Sequence, residues 1–221
     1  LHLNNIVHRD IKSDNILVNQ NNEIRVVDFG WARHIKSSSE LTKIIANIHY
    51  RAPEVCLRNT LHDSKVDIWG VGCIFYELLM KRFFFDADKD LMLLESMFQK
   101  FGSLSPEETG FIERSDAREW VLNRAPLPKR RPSDYLTGFD DPLGRDLFDR
   151  CLQIAPHKRI NASEALQHPY FADIFDPDEM RKGMENHSHM IDFSFEADPN
   201  LTQEQLLFRI AQEIKDIPPW E

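Results

Sequence analysis

The chain has little cysteine, and its histidines are scattered. Its three cysteines, Cys56, Cys73 and Cys151, show neither a pairing pattern nor a metal-ligand spacing, which suits a reducing compartment and argues against a disulfide framework. The nine histidines likewise form no ligand cluster. No apolar run is long enough for a membrane span. The longest, Val66–Met80, carries Asp67 and Glu77 and reads as a buried core helix. The residues from Leu1 onward have no signal-peptide pattern. Basic excess is missing too. The net charge is −9, and residues 173–221 hold 12 acids against 4 bases, so this tail carries −8 of it. Such a balance argues against nucleic acid as a partner and is compatible with basic peptides.

What is present is the composition of an ordinary globular protein, 42% hydrophobic and 29% charged over 221 residues, enough for one domain with a sizeable core or two small ones. Residues 1–7 read as a helix end leading into a loop. Ile16-Leu17-Val18 and Ile24-Arg25-Val26-Val27 read as two short strands joined by the polar turn Asn19-Gln20-Asn21-Asn22. Residues 31–51 are polar and aperiodic, a long loop. Helices are expected over about 66–80, 89–101, 143–153, 162–168 and 202–215. Between 103 and 142, Pro106, Pro126, Pro128, Pro132 and Pro142 break the chain into short pieces.

Three motifs stand in series: His8-Arg9-Asp10-Ile11-Lys12-Ser13-Asp14-Asn15, then Asp28-Phe29-Gly30, then Ala52-Pro53-Glu54. Their order and spacing resemble the catalytic loop, metal-binding triplet and activation-segment end of a eukaryotic protein kinase. The resemblance implies an α+β protein kinase-like fold: a mainly α C-terminal lobe with a small β-hairpin at the active edge, the N-lobe being absent from this chain. The implied domains are 1–171 for the kinase portion, with an insert over about 86–142, and 172–221 for an acidic C-terminal extension.

The same resemblance assigns roles. Asp10 accepts a hydrogen bond from the substrate hydroxyl and takes its proton late, and Lys12 balances charge at the γ-phosphate. Lys12 at that place resembles the serine/threonine class. Asn15 and Asp28 supply hard oxygens to Mg²⁺ beside ATP, and Leu17 forms the floor under adenine. His8 packs beneath Phe29, Asp67 anchors the catalytic-loop backbone, and Glu54 pairs with Arg159; these are architectural. Thr42, ten residues before Ala52, is the activation phosphosite, with Arg9 and Arg33 placed to receive its phosphate and Ser37, Ser38 and Ser39 as competing acceptors.

Tyr50-Arg51-Ala52-Pro53-Glu54 and Asp67-Ile68-Trp69-Gly70-Val71-Gly72-Cys73-Ile74 are similar to the group of MAP kinases and cyclin-dependent kinases. The tail, with Asp176-Pro177-Asp178-Glu179, Phe193-Ser194-Phe195-Glu196 and Leu201 to Ile214, resembles the C-terminal extension of MAP kinases. Asp176, Asp178 and Glu179 sit where that family binds basic docking peptides; a solvated acidic turn is the competing reading. Ala46 and Arg51 match positions that shape a pocket for proline after the phosphoacceptor.

Three positions depart from the family. Its T-x-Y lip reads Thr42-Lys43-Ile44, which removes the second phosphosite. Asn47 replaces a Thr that bridges the catalytic Asp and Lys, and His49 replaces a Trp. The resemblance therefore implies a MAP kinase-type serine/threonine kinase, proline-directed, using ATP and Mg²⁺. Its partners would be protein substrates, an upstream activating kinase and basic docking peptides, in the cytoplasm and also the nucleus. The alternative is a catalytically inactive, pseudokinase-like docking module. Because a Gly-rich loop, a phosphate-anchoring strand Lys and a partner Glu are not found in these residues, this polypeptide alone is expected not to turn over ATP efficiently.

Overall fold

The computed structural model describes residues 1–35, 47–60, 62–186 and 200–216. Thr42 and Ala46 lie outside the described residues. The chain opens with a single 3-10 turn at His2–Asn4 and then a two-residue strand β1 (Ile6–Val7), where residues 1–7 were expected to form a helix end and a loop. β2 (Ile16–Val18) and β3 (Ile24–Val26) pair antiparallel as Ile16↔Val26, Leu17↔Arg25 and Val18↔Ile24, the hairpin read from the sequence. The turn closes because Asn19 Oδ1 accepts the amides of Asn21 (3.0 Å) and Glu23 (2.9 Å), while Asn22 takes the left-handed φ of 63° that Asn tolerates. β4 (Arg33–His34) returns to β1 with Ile6↔His34 and Val7↔Arg33, so part of the expected long loop is strand.

Helices follow. α1 (Pro53–Cys56) is one turn with Pro53 at its first position. α2 (Lys65–Met80) is buried on nearly every side, from Val66 through Trp69 to Tyr76, as its continuous apolar sequence requires. α3 (Asp90–Phe101) ends at Gly102, whose φ of 88° suits glycine and whose Hα faces the Pro128 carbonyl; a Cβ there would lie 2.4 Å from that oxygen. α4 (Ser115–Leu122) arises inside the proline-rich stretch, where only short pieces were expected.

α5 (Pro142–Cys151) starts with Pro142 behind an Asp141 cap (2.9 Å to the Leu143 amide). α6 (Ala162–Leu166) starts on an Asn161/Glu164 capping box. α7 (Pro177–Asn186) and α8 (Gln203–Asp216) complete the described chain, α7 being a helix the sequence pattern did not reveal.

The core gathers around α2, with Trp69, Phe85, Leu93, Met97, Phe98 and Phe148 fully enclosed and Trp69 stacked on Phe85 at 5.6 Å between ring centroids. All three cysteines are buried free thiols, and burial pushes the Cys151 thiol up to about 12. Among the described residues no helix is long and apolar enough to cross a membrane.

Candidate active site

The site is built on a carboxylate that the fold buries and fully engages. Asp67, in the first turn of α2, turns back to the segment after β1: Oδ1 accepts the Arg9 amide (2.8 Å) and Oδ2 the His8 amide (2.9 Å), with His2 Nε2 2.7 Å from Oδ2. Burying an ionised carboxylate is costly unless its oxygens are hydrogen-bonded, and these are. The anchor also holds Arg9 at φ 66°, a left-handed conformation that a long side chain rarely adopts. One turn along α2, Gly70 lets the Ile11 carbonyl lie against the helix; an added Cβ would meet that oxygen at 2.6 Å. The loop between β1 and β2 is thus pinned at its start and its middle.

Asp10 sits between the pins and is buried. Its Oδ2 accepts Lys12 Nζ (2.8 Å) and Asn15 Nδ2 (3.0 Å), and its Oδ1 accepts the Asn47 amide at 3.2 Å. The hydrogen bond to Asp10 raises the Lys12 ammonium above the ordinary lysine range despite some desolvation. Asn15 also ties its Nδ2 to the Asp10 carbonyl (2.8 Å). His8 donates from Nε2 to the Val27 carbonyl (3.0 Å) and accepts the Asp10 amide at Nδ1 (3.3 Å), which assigns the neutral Nε2–H tautomer; its ring meets Phe29 edge-on at 5.0 Å. The hairpin carries Asn15 to Asp28: the Val27 amide bonds the Asn15 carbonyl at 2.9 Å, one residue before Asp28. Asp28 is exposed, at φ 63°, and its carboxylate accepts the Gly30 amide at 3.2 Å.

Among the described residues no group of three or more His, Cys, Asp or Glu side chains could hold a metal. The donor pair offered by Asn15 and Asp28 fits Mg²⁺ of the kind that takes one or two protein oxygens and completes its shell with phosphate and water. Leu17 lies on the same edge, exposed with Val18 and Ile24.

A protein kinase domain matches residues 1–171. The chain belongs to the protein kinase family. It is 32% identical over 219 residues to mitogen-activated protein kinase 3 of Arabidopsis thaliana, 99% of this chain and 58% of that protein. To mitogen-activated protein kinase 14 of Xenopus laevis it is 37% identical over 179 residues, 81% of this chain and 49% of that protein. The chain spans about half the length of the relatives it matches, between 47% and 58%. It is MAP kinase-like within the protein kinases.

The remaining kinase positions fall as follows. Glu54 and Arg159 form a bidentate pair in the core (2.8 and 3.0 Å), with the guanidinium 5.1 Å over the Trp69 ring. Arg9 is buried, gives Nε to the Trp31 carbonyl (2.7 Å), and is pushed down to about 10, by burial first and then by the nearby Arg33. Arg33 is exposed and bonds the Ala32 carbonyl. Arg51 is taken up by Asp90 at the start of α3.

Asn47 does not set its side chain between Asp10 and Lys12: its Oδ1 caps the His49 amide (3.2 Å), and only its backbone amide reaches Asp10. His49 stacks on Phe83 at 4.2 Å and donates from Nδ1 to the Phe85 carbonyl. Asp176 and Asp178 are exposed at the start of α7, where Asp176 caps the Asp178 amide (2.8 Å) and Asp178 pairs with Arg181 (2.8 Å). Glu179 begins the same helix; its side chain lies outside the description.

Sequence reasoning missed a second polar cluster beside the loop. Tyr50 Oη donates to Glu77 Oε2 at 2.5 Å, and Ser13 Oγ lies 2.9 Å from Tyr50 Oη and 3.2 Å from Glu77 Oε1. Burial, then Glu77, raises the Tyr50 phenol well above its ordinary value. Ser13 and Glu77 also line a groove of about 820 Å³ with Phe83, Asp86 and Tyr135. Three segments distant in sequence supply the cluster, so no local pattern announces it.

Proposed function

We propose that this chain carries the catalytic residues of a serine/threonine protein kinase of MAP kinase type, which transfers the γ-phosphoryl group of ATP to protein hydroxyls, proline-directed in its specificity. The observation that supports this reading is the convergence of Lys12 and Asn15 on one oxygen of a buried Asp10. That convergence turns the carboxylate and leaves Oδ1, among the described residues, with only the 3.2 Å contact from Asn47. A lone pair therefore remains to orient a substrate hydroxyl and later receive its proton. Lys12, held as ammonium, balances charge near the same point. Asn15 and Asp28 offer the oxygens that would hold Mg²⁺, which with ATP supplies the phosphoryl group and its charge neutralisation. Leu17 offers an apolar surface to the adenine ring.

Regulation by a phosphate at Thr42 received by Arg9 and Arg33, a proline pocket at Ala46 and Arg51, and docking of basic peptides at Asp176, Asp178 and Glu179 belong to the same reading. So do an upstream activating kinase and a cytoplasmic and nuclear location. The native-length protein with Mg²⁺-ATP should phosphorylate Ser-Pro or Thr-Pro peptides in preference to Tyr peptides, and Asp10→Asn should lower the rate by about 10²–10⁴-fold. A native-length protein that leaves both peptides unmodified, or an Asp10→Asn variant as fast as the parent, would sink the proposal.

A non-catalytic docking role draws support from Asn47, whose side chain caps a turn where the family's Thr bridges Asp10 and Lys12. Asn47→Thr separates the two: a several-fold gain in rate favours a weakened enzyme, and no rate before or after favours the docking role.

A further inference from the structure

A second cleft, of about 590 Å³, lies between residues 101–108, residues 129–132, α5 and the turn beyond α5. None of its lining residues belongs to the catalytic loop, the hairpin or the segment around Asp28. Three separate stretches bring five cations to it. Lys129, Arg130 and Arg131 come from the first, Arg150 from the end of α5, and Lys158 from the turn that follows. All five are exposed. In a chain of net charge −9 this is a local reversal of sign, assembled only by folding.

Three carboxylates share the cleft, and each is already committed. Glu108 takes Lys129 on Oε2 (2.7 Å) and Lys158 on Oε1 (2.8 Å). Asp149 accepts the Ser133 amide and hydroxyl (2.6 and 2.8 Å). Asp146 accepts Arg150 Nε (2.8 Å) and lies 2.9 Å from His168 Nε2. Five cations against three carboxylates leave an excess of two positive charges, and these fall on Arg130 and Arg131. Arg131 reaches Asp134, outside the cleft, only at 3.4 Å. The Arg130 guanidinium makes no hydrogen bond among the described residues; only its backbone amide is engaged, by the Phe101 carbonyl at 3.2 Å.

A guanidinium presents several donors in a planar fork that matches the two oxygens of a carboxylate. Two such forks stand side by side at the rim of a concave surface. We propose that this cleft is a docking surface for a carboxylate-rich peptide segment of a partner protein, gripped by Arg130 and Arg131. A peptide fits better than a nucleic acid. Glu108, Asp146 and Asp149 are interleaved with the cations and would repel a backbone charged at every unit, whereas a peptide can place neutral residues over them. The surface is opposite in sign to the acidic turn at Asp176 and Asp178. It stands independently of the transfer chemistry at Asp10, so either can fail without the other.

The probe is a fluorescein-labelled hexaglutamate peptide, titrated into the full chain and followed by anisotropy. It should bind saturably at about 50 mM salt and more weakly at about 300 mM, because exposed charge pairs are screened. Hexaglutamine with the same label should not bind. Arg130→Glu should weaken binding by about tenfold, and Arg131→Glu by a similar factor. Lys182→Glu makes the same charge change at an exposed position on α7, outside the cleft, and should leave affinity nearly unchanged. Glu108→Gln works in the other direction. By releasing Lys129 and Lys158 to the peptide it should tighten binding several-fold, a gain that a misfolded protein does not give.

No binding of hexaglutamate overturns the proposal. So does binding that Lys182→Glu weakens as much as Arg130→Glu, since net charge alone would then be acting. An unchanged affinity in Glu108→Gln shows that the two lysines do not face the peptide, and it overturns the cleft as its seat. An oligouridylate that binds more tightly than the peptide, and loses that binding in Arg130→Glu, overturns the peptide as occupant in favour of nucleic acid.

Discussion

Asp10 is useful because other side chains hold it still. Its carboxylate is turned by Lys12 and Asn15, and its backbone is fixed by His8 and, one residue back, by Asp67. Side chains that merely line a surface would tolerate substitution; side chains in such a network do not. The Ser13–Tyr50–Glu77 cluster beside it has the same character. Tyr50→Phe should cost about 1–3 kcal/mol in urea unfolding, because Glu77 loses its 2.5 Å donor. Adding Ser13→Ala to the Tyr50→Phe variant should cost less than Ser13→Ala alone. Strictly additive losses would show that the two hydroxyls act separately. Both residues lie in motifs quoted from the sequence, Tyr50 just before Arg51-Ala52-Pro53-Glu54, but neither has a chemical role there. Ser13 stands inside the catalytic loop, but only its approach to Tyr50 and Glu77 gives it a task.

At the level of elements, α2 is the part on which everything else is mounted. Its apolar run was legible as a buried helix, and its Asp67 as an anchor implied by kinase resemblance. The spacing of its glycines was not read as packing, because a glycine's neighbours are invisible in one dimension. Gly70→Ala places a Cβ 2.6 Å from the Ile11 carbonyl, a backbone atom that cannot rotate away. It should lower stability by about 1–3 kcal/mol. It should also speed hydrogen exchange at the Asn15 and Val27 amides, while a variant with native exchange there would mean the loop does not lean on α2. The short elements were the ones the sequence hid. β1 and β4 have two residues each and pair across the whole catalytic loop and hairpin between them, so no periodicity could reveal them. α4 grew between prolines that suggested only broken chain, and α7 started on an Asp176 cap inside a tail read mainly for its charge.

Across the whole molecule, ion pairs join segments that the chain keeps far apart. Glu54 and Arg159 are 105 residues apart and both fully buried, so Glu54→Gln should cost about 3–5 kcal/mol in a denaturant titration by stranding the guanidinium. Replacing both with apolar residues of similar size should cost less than either single change. Glu108 joins the segments of Lys129 and Lys158. Burial alone would push its carboxyl up, but the hydrogen bonds from the two ammonium groups hold it at about 2, below its ordinary 4.5. A folded-state value below the unfolded one stabilises the protein above about pH 4.5 and is lost as pH falls toward about 2. Glu108→Gln should therefore flatten the acid limb of stability against pH in that window; an unchanged slope would place the acid sensitivity elsewhere.

Motif spacing and apolar periodicity are local properties of the chain, and they were enough to read off the family, the main helices, the hairpin and the order of the chemical groups. Packing in three dimensions set which lone pair of Asp10 stays open, which way the Asn47 amide turns, and which polar atoms of Arg9 and His62 are left without a partner among the described residues. Those outcomes depend on the direction of side chains from segments tens of residues apart. Burial sets their strength, and burial is a property of the packed molecule that no stretch of the chain carries alone.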